Sequence, residues 1–249
     1  KSNLLGKDAF QETDIVGITV PITKMNYLVQ DIKEIPRIIK EAYFIASTGR
    51  PGPVLVDIPN DIQLQEISYD EFDKLYNKKI VLEGYDPTYV GHQGQIKRSL
   101  ELIKNAKKPL VIAGAGVLKA KASKELFEFV EKTNTPVAMT LLGLGSFPGR
   151  HELSLGMLGM HGTVSANYAI DEADLIIAAG IRFDDRITGN PDKKKKKAKI
   201  IHIDIDPAEI DKNKKVDVPI VGDLKNVLSE INKEIKEKEN VEWIKKVKE

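Results

Sequence analysis

The sequence contains no cysteine. That excludes disulfide bridges, thiolate catalysis and cysteine-ligated metals. Histidine is nearly as scarce: its four residues stand apart at 92, 151, 161 and 202, so a histidine-rich metal site is not expected. No apolar run reaches the roughly 20 residues that span a bilayer, and Lys1-Ser2-Asn3 does not open like a signal peptide. An excess of one charge is also missing, because 38 Lys and Arg face 37 Asp and Glu for a net charge of +1. Bulk electrostatics therefore point to neither a nucleic acid nor a membrane as partner. A soluble, cytoplasmic protein is the expectation. The initial Met is absent too, and residues 1–11 read like the interior of a domain, so a segment of a longer chain is expected.

What is present begins with size. A chain of 249 residues, 41% hydrophobic and 30% charged, can build one large or two ordinary domains. Residues 32–46 place Ile35, Ile38, Ile39, Ala42, Ile45 and Ala46 at helical spacing, with Pro36 in the first turn. Residues 53–59 then read as a buried strand bounded by prolines. One helix and one strand cannot bury a core, so residues 1–60 are expected to be the tail of a larger domain. Residues 61–87 are polar and irregular and read as a linker. From 88 to 237 helices and strands alternate: helices at 96–106, 120–133, 164–173 and 224–237, strands at 109–113, 136–140, 174–179, 200–205 and 218–221. That alternation predicts an α/β fold with a Rossmann-like, doubly wound parallel sheet. Residues 238–249 are charged and read as the start of a further linker.

Several segments carry candidate chemistry. Gly180-Ile181-Arg182-Phe183-Asp184-Asp185-Arg186 follows the apolar run Leu175 to Ala179. Open α/β sheets bind ligands at the carboxyl ends of their strands, and Arg182 and Arg186 could together grip an anionic group such as a pyrophosphate. A surface ion-pair cluster is the other reading. Gly114 and Gly116 either let the backbone approach a phosphate or ribose or form a plain tight turn; a third glycine of the dinucleotide fingerprint is missing. Residues 140–148 offer either an apolar wall for a planar group or a packed loop. Gly156 to Thr163 sets Met157, Met160 and His161 among glycines in a flexible loop. His161 is either a stacking partner or a structural histidine, and Thr163 suits the N-cap of the next helix. In His202-Ile203-Asp204-Ile205-Asp206-Pro207, alternation puts His202, Asp204 and Asp206 on one side. Asp204 is read as an acceptor for ribose hydroxyls and Asp206 as a helix cap before Pro207. Lys193 to Lys197 reads as a solvated loop.

These segments occur in a telling order with Asp8-Ala9-Phe10-Gln11-Glu12 and Gly49-Arg50-Pro51-Gly52-Pro53-Val54-Leu55-Val56-Asp57. Over essentially its whole length the sequence resembles the catalytic large subunits of the acetolactate synthase (acetohydroxyacid synthase) family, which are thiamine-diphosphate enzymes. The resemblance implies that residues 1–60 end a pyrimidine-binding domain, that 88–237 form a central domain holding FAD in a structural role, and that 238–249 lead toward a third domain. It implies FAD contacts from Arg50, Gly114, Gly116, Thr140, Leu141, Leu158, Met160, His161, Gly180, Arg182, Asp184, Arg186, Asp204, Ile205 and Asp223. Phe10 and Gln11 would lie near the thiamine and substrate channel. The implied reaction is decarboxylative condensation of two pyruvates, or of pyruvate with 2-oxobutyrate, in branched-chain amino-acid biosynthesis. A homodimer or tetramer and a regulatory subunit are implied as partners.

In that family the activating Glu lies upstream of the residues matched here, and the magnesium-binding Gly-Asp-Gly motif lies downstream. No catalytic residue and no metal ligand is therefore expected within the sequence, and it is expected to be inactive alone. Asn60 stands where the family usually has Lys, and Lys193 to Lys197 replaces an apolar Phe-Ala-Pro stretch. Two other readings share some of these features: another thiamine-diphosphate carboligase or 2-oxo-acid decarboxylase, and a non-catalytic nucleotide-binding module.

Overall fold

The computed structural model describes residues 4–10, 12–184 and 198–248. The chain divides into two compact units, residues 1–87 and 88–249. Gln11, Arg186 and the Lys193 to Lys197 run, singled out above, lie outside the described residues.

In the first unit a short helix α1 (Ile15–Thr19) precedes strand β1 (Met25–Leu28), helix α2 (Ile35–Ser47) and strand β2 (Val54–Asp57). The two strands pair in parallel with Met25 opposite Val54. Helix α2 starts with Pro36 in its first turn, where the missing N–H costs nothing. It buries Ile38, Ala42 and Ile45, and Ile38 joins Val29 and Ile62 in a small core. The unit therefore holds a strand that the sequence reading missed. Asn26 and the exposed Met25 break the apolar alternation that would have marked it.

The stretch expected as a linker is also more ordered than its polarity suggested. It carries helices α3 (Asn60–Gln63) and α4 (Tyr69–Tyr76). Ser68 caps α4 by accepting from Glu71 N at 3.3 Å. Lys40 Nζ on α2 donates to the carbonyls of Tyr76 and Lys78 at 2.7 and 2.8 Å, satisfying groups left over at the end of α4.

The second unit is built on a six-stranded sheet. Helix α5 (Gln93–Asn105) leads to β3 (Pro109–Ala113), then α6 (Ala115–Lys119), α7 (Ser123–Thr133), β4 (Val137–Met139) and β5 (Ser154–Met157). Helix α8 (Val164–Glu172), β6 (Leu175–Ala179), β7 (Lys199–Asp204), β8 (Val218–Val221), α9 (Leu224–Glu234) and α10 (Val241–Lys248) complete it. All pairings are parallel and the strand order is β5-β4-β3-β6-β7-β8. Successive side chains alternate between the two faces. Val111, Ala113, Ile177, Ala179, Ile201 and Ile203 enter one core with helices α5, α7 and α9. Leu110, Ile112, Ile176, Ala178 and Ile200 enter the other with α8 and α10. Burial on both faces explains why β3 and β6 read as continuous apolar runs.

Three expectations change here. The helix expected from 120 to 133 starts later, at Ser123, and an unexpected helix, α6, precedes it; left-handed Lys121 (φ 53°) separates the two. The flexible loop expected at 156–163 begins as edge strand β5, whose pairing with β4 shifts register between Val137 and Ala138. The charged tail is a helix rather than a linker: Trp243 and Val247 of α10 are 4% and 2% exposed, four residues apart on one face. Trp243 Nε1 donates to Pro109 O at 2.9 Å. Trp243→Ala is expected to cost about 3–5 kcal/mol, the range for emptying a buried aromatic site. Chemical denaturation checks it, and a loss below about 1 kcal/mol would mean that α10 contributes little to this core.

Candidate functional site

Numbered within the second unit alone, the strand order is 3-2-1-4-5-6, the arrangement of dinucleotide-binding α/β sheets. The order in which strands are added to the sheet reverses between β3 and β6. The crevice outside the carboxyl ends of those two strands is the topological switch point, where such folds hold ligands.

Glycines shape that point. Gly114 N donates to Ala179 O and Gly116 N to Gly180 O, each at 3.0 Å. A Cβ on Gly114 would lie 2.3 Å from Gly180 O, and one on Gly116 would lie 2.6 Å from Gly180 Cα. Gly180 itself is left-handed (φ 59°). The loops after β3 and β6 thus interlock backbone to backbone, an arrangement only glycine admits. Gly143 completes it, since a Cβ there would meet Ala113 O at 2.2 Å. These glycines bring the loops of neighbouring strands together.

Because all six strands are parallel, the loops after them leave from one edge. Thr140 and Leu141 follow β4, Leu158, Met160 and His161 follow β5, Arg182 and Asp184 follow β6, Asp204 ends β7 with Ile205 after it, and Asp223 follows β8. The segment 140–148 joins both of its readings. Gly143 and Phe147 pack, while Leu141 and Leu142 are 68% and 69% exposed. Met160 is 70% exposed and His161 is exposed beside it, but Leu158 is buried in the core below. Arg182 is exposed, between buried Ile181 and Phe183. Asp223 accepts from Asn226 N at 3.1 Å and caps α9. Asp206 caps the turn at Pro207 by accepting from Ala208 N at 3.0 Å.

Phe10 and Arg50 belong to the first unit. Phe10 is 94% exposed. Arg50 sits in a loop braced by Lys24, whose Nζ donates to Ile45 O at 2.5 Å, Thr48 O at 2.9 Å and Tyr85 Oη at 2.9 Å. The Tyr85 hydroxyl donates in turn to Thr48 O at 2.9 Å. This brace follows from no sequence motif.

His202 and Asp204 are the titrating pair of the edge. His202 is fully buried, its Nε2 donates to Ile181 O at 2.9 Å, and Phe183 meets its ring edge-on at 5.2 Å. Among the described residues its Nδ1 has no hydrogen-bond partner. Burial holds the imidazole below its ordinary value, against the pull of Ile181 O and of the carboxylates of Asp204, Glu209 and Asp211. Burial likewise pushes the Asp204 carboxyl up, although it accepts from Asp206 N at 2.9 Å.

The two shifts act on stability in opposite senses. As pH falls through about 6.5, an unfolded His takes up a proton that folded His202 refuses, so its stabilisation is lost between that pH and its lower folded value. Folded Asp204 instead keeps its proton above about 3.9, so stability declines as pH rises through that window. In urea unfolding, His202→Gln is expected to remove part of the pH slope below about 6.5. An unchanged slope would contradict the assignment.

An open parallel α/β sheet of this strand order, with Arg182 just after β6 and Asp204 at the end of β7, has the architecture of the dinucleotide-binding class of folds. The family description "Thiamine pyrophosphate enzyme, central domain" fits residues 96–231, and the chain belongs to that family. It is similar to the acetolactate synthase large subunit of Buchnera aphidicola subsp. Schizaphis graminum, 48% identical over 98% of this chain and 42% of the relative. It is 49% identical to the probable acetolactate synthase large subunit of Methanococcus aeolicus, over 99% of this chain and 43% of the relative. It is 54% identical to the acetolactate synthase large subunit of Corynebacterium glutamicum, over 92% and 36%. The chain thus spans about two fifths of the length of the curated relatives it matches. Among the described residues no helix is long and apolar enough to cross a membrane, and no three His, Cys, Asp or Glu gather as a metal site.

Proposed function

We propose that the protein is an acetolactate synthase: it condenses two pyruvates, or pyruvate and 2-oxobutyrate, with loss of carbon dioxide, for branched-chain amino-acid biosynthesis in the cytoplasm. The observation that carries the reading is identity near one half, over nearly all of this chain, with large subunits of that name. In this reading residues 1–87 belong to the pyrimidine-binding domain and the second unit is the FAD-holding central domain. Thiamine diphosphate, held with Mg2+ outside this sequence, supplies the carbon nucleophile that takes up the acyl unit of pyruvate. A homodimer or tetramer, joined by a regulatory subunit, is part of the same proposal.

The residues present fit FAD in a structural role. Arg182 offers an exposed guanidinium at the switch point for a pyrophosphate. Asp204, whose charge is disfavoured by burial, would gain from ribose hydroxyls as donors. Exposed Leu141, Leu142 and Met160 offer apolar surface to a flat ring, with His161 beside them. Gly180, Gly114 and Gly116 set the backbone on which these side chains stand, and Arg50 of the first unit is counted among the proposed contacts. Thr140, Leu158, Asp184, Arg186, Ile205 and Asp223 also belong to the proposed FAD set, and Gln11 with Phe10 to the proposed substrate channel.

The test is turnover by the full-length protein with pyruvate, thiamine diphosphate, Mg2+ and FAD. Acetolactate is the expected product. Acetaldehyde in its place would identify a decarboxylase, and a colourless protein that binds ADP without thiamine-dependent turnover would identify a nucleotide-binding module. The 249 residues alone are expected to yield no acetolactate above background.

A further inference from the structure

The loop between β5 and α8 offers Met160 and His161 to the carboxyl edge, yet it is glycine-rich. Gly156 and Gly159 both have positive φ (83° and 112°), and glycine loses more freedom on ordering than any other residue. Something must hold such a loop still. On its strand side, Leu158 N donates to Met139 O at 2.8 Å, and Thr163 N donates to Met157 O at 2.8 Å. Neither bond reaches the tip.

Asn167 does. It lies one turn into α8, the helix that Thr163 caps through Ala166 N. Its Oδ1 accepts from Gly159 N at 3.1 Å and its Nδ2 donates to Gly159 O at 3.0 Å. The carboxamide thus closes a two-bond ring on one peptide residue, as a neighbouring strand would. Only this amide orientation satisfies both contacts. Gly162 N also donates to Gly159 O at 2.9 Å. Gly159 is therefore tied to the helix and to the far end of the loop, with Met160 and His161 between the ties. Their side chains are exposed while the backbone beneath them is fixed.

We infer that Asn167 is the positioning residue of the flavin-facing loop: by pinning Gly159 it holds Met160 and His161 ready at the carboxyl edge, without touching the ligand. This rests on the proposed flavin site. A pinned loop pays its ordering cost before binding, so the pin appears as affinity. Asn167→Asp is the sharp variant. It keeps an acceptor for Gly159 N but sets a second acceptor against Gly159 O. Asn167→Ala deletes both bonds and adds no charge.

The experiment uses the full-length protein and has two arms. In FAD-free protein, amide hydrogen exchange of the peptide spanning 158–162 is expected to quicken at least tenfold in N167D and N167A, with other core peptides unchanged. In titrations, the FAD dissociation constant is expected to rise about tenfold, with an altered flavin absorption band. Unchanged exchange over 158–162 in both variants would overturn the pin, and faster exchange with unchanged FAD affinity would overturn its positioning role. Wild-type protein that binds no FAD overturns the proposed flavin site and the positioning role with it, while the exchange arm still decides whether Asn167 holds Gly159.

Discussion

Arg182→Glu is expected to strip the full-length protein of FAD while leaving it folded. The guanidinium is exposed at the end of β6, directly after the Gly180 turn. A fork of N–H donors there matches a pyrophosphate, and each hydrogen bond to a charged group contributes about 1.5–3 kcal/mol. Losing a bidentate contact alone weakens binding by roughly 100-fold or more, and the reversed charge adds repulsion. Arg182→Lys keeps the charge and loses the fork, so it is expected to fall between the wild type and the glutamate variant. Stability is expected to change little, because the side chain lies at the surface. Equilibrium binding followed by flavin absorbance, with thermal melts alongside, separates the two effects. Retained affinity in Arg182→Glu would remove the pyrophosphate from this loop.

Gly180→Ala is expected to give the largest loss of stability at the edge. Two costs add. A left-handed alanine costs roughly 1–2 kcal/mol, and its Cβ would stand 2.6 Å from Gly116 Cα, where only backbone can yield. Overpacking of that kind costs about 1–3 kcal/mol. For a unit of this size the sum lowers the melting temperature by roughly 5–15 °C. Gly114→Ala meets Gly180 O at 2.3 Å but carries no left-handed cost, so only the overpacking cost applies and a smaller loss is expected. Gly149→Ala is the control, since nothing lies within 4 Å of its Cβ position. Equal melting temperatures for Gly180→Ala and Gly149→Ala would show that the β3 and β6 loops do not interlock.

The parallel sheet was legible wherever strands are covered on both faces. Pro109 to Ala113 and Leu175 to Ala179 are apolar without interruption because helices pack on both sides. Strands β1 and β5 were not legible: Asn26 interrupts one and Gly156 the other, so neither shows a period of two. Helix α10 was hidden by Lys245, Lys246 and Lys248, which outnumber the Trp243 and Val247 pair that docks it. At the site, Arg182 and Asp204 could be chosen because they end apolar strands. The capping roles of Asp206 and Thr163 followed from local spacing. The work of His202 and Asn167 could not be read so. His202 reaches Ile181 across 21 residues and Asn167 reaches Gly159 across eight, and both contacts exist only once the sheet has set their strands and helices side by side. For Gly114 and Gly116 the sequence leaves ligand approach and a tight turn both open, and in the structure they make room for Gly180.

The proposed role of the second unit is that of a flavin-dinucleotide domain in a thiamine-diphosphate enzyme. An equilibrium titration of FAD into the cofactor-stripped, full-length protein decides it. Saturable, stoichiometric binding with a yellow protein after gel filtration is the predicted result. A protein that remains folded and colourless at saturating FAD would rule that role out.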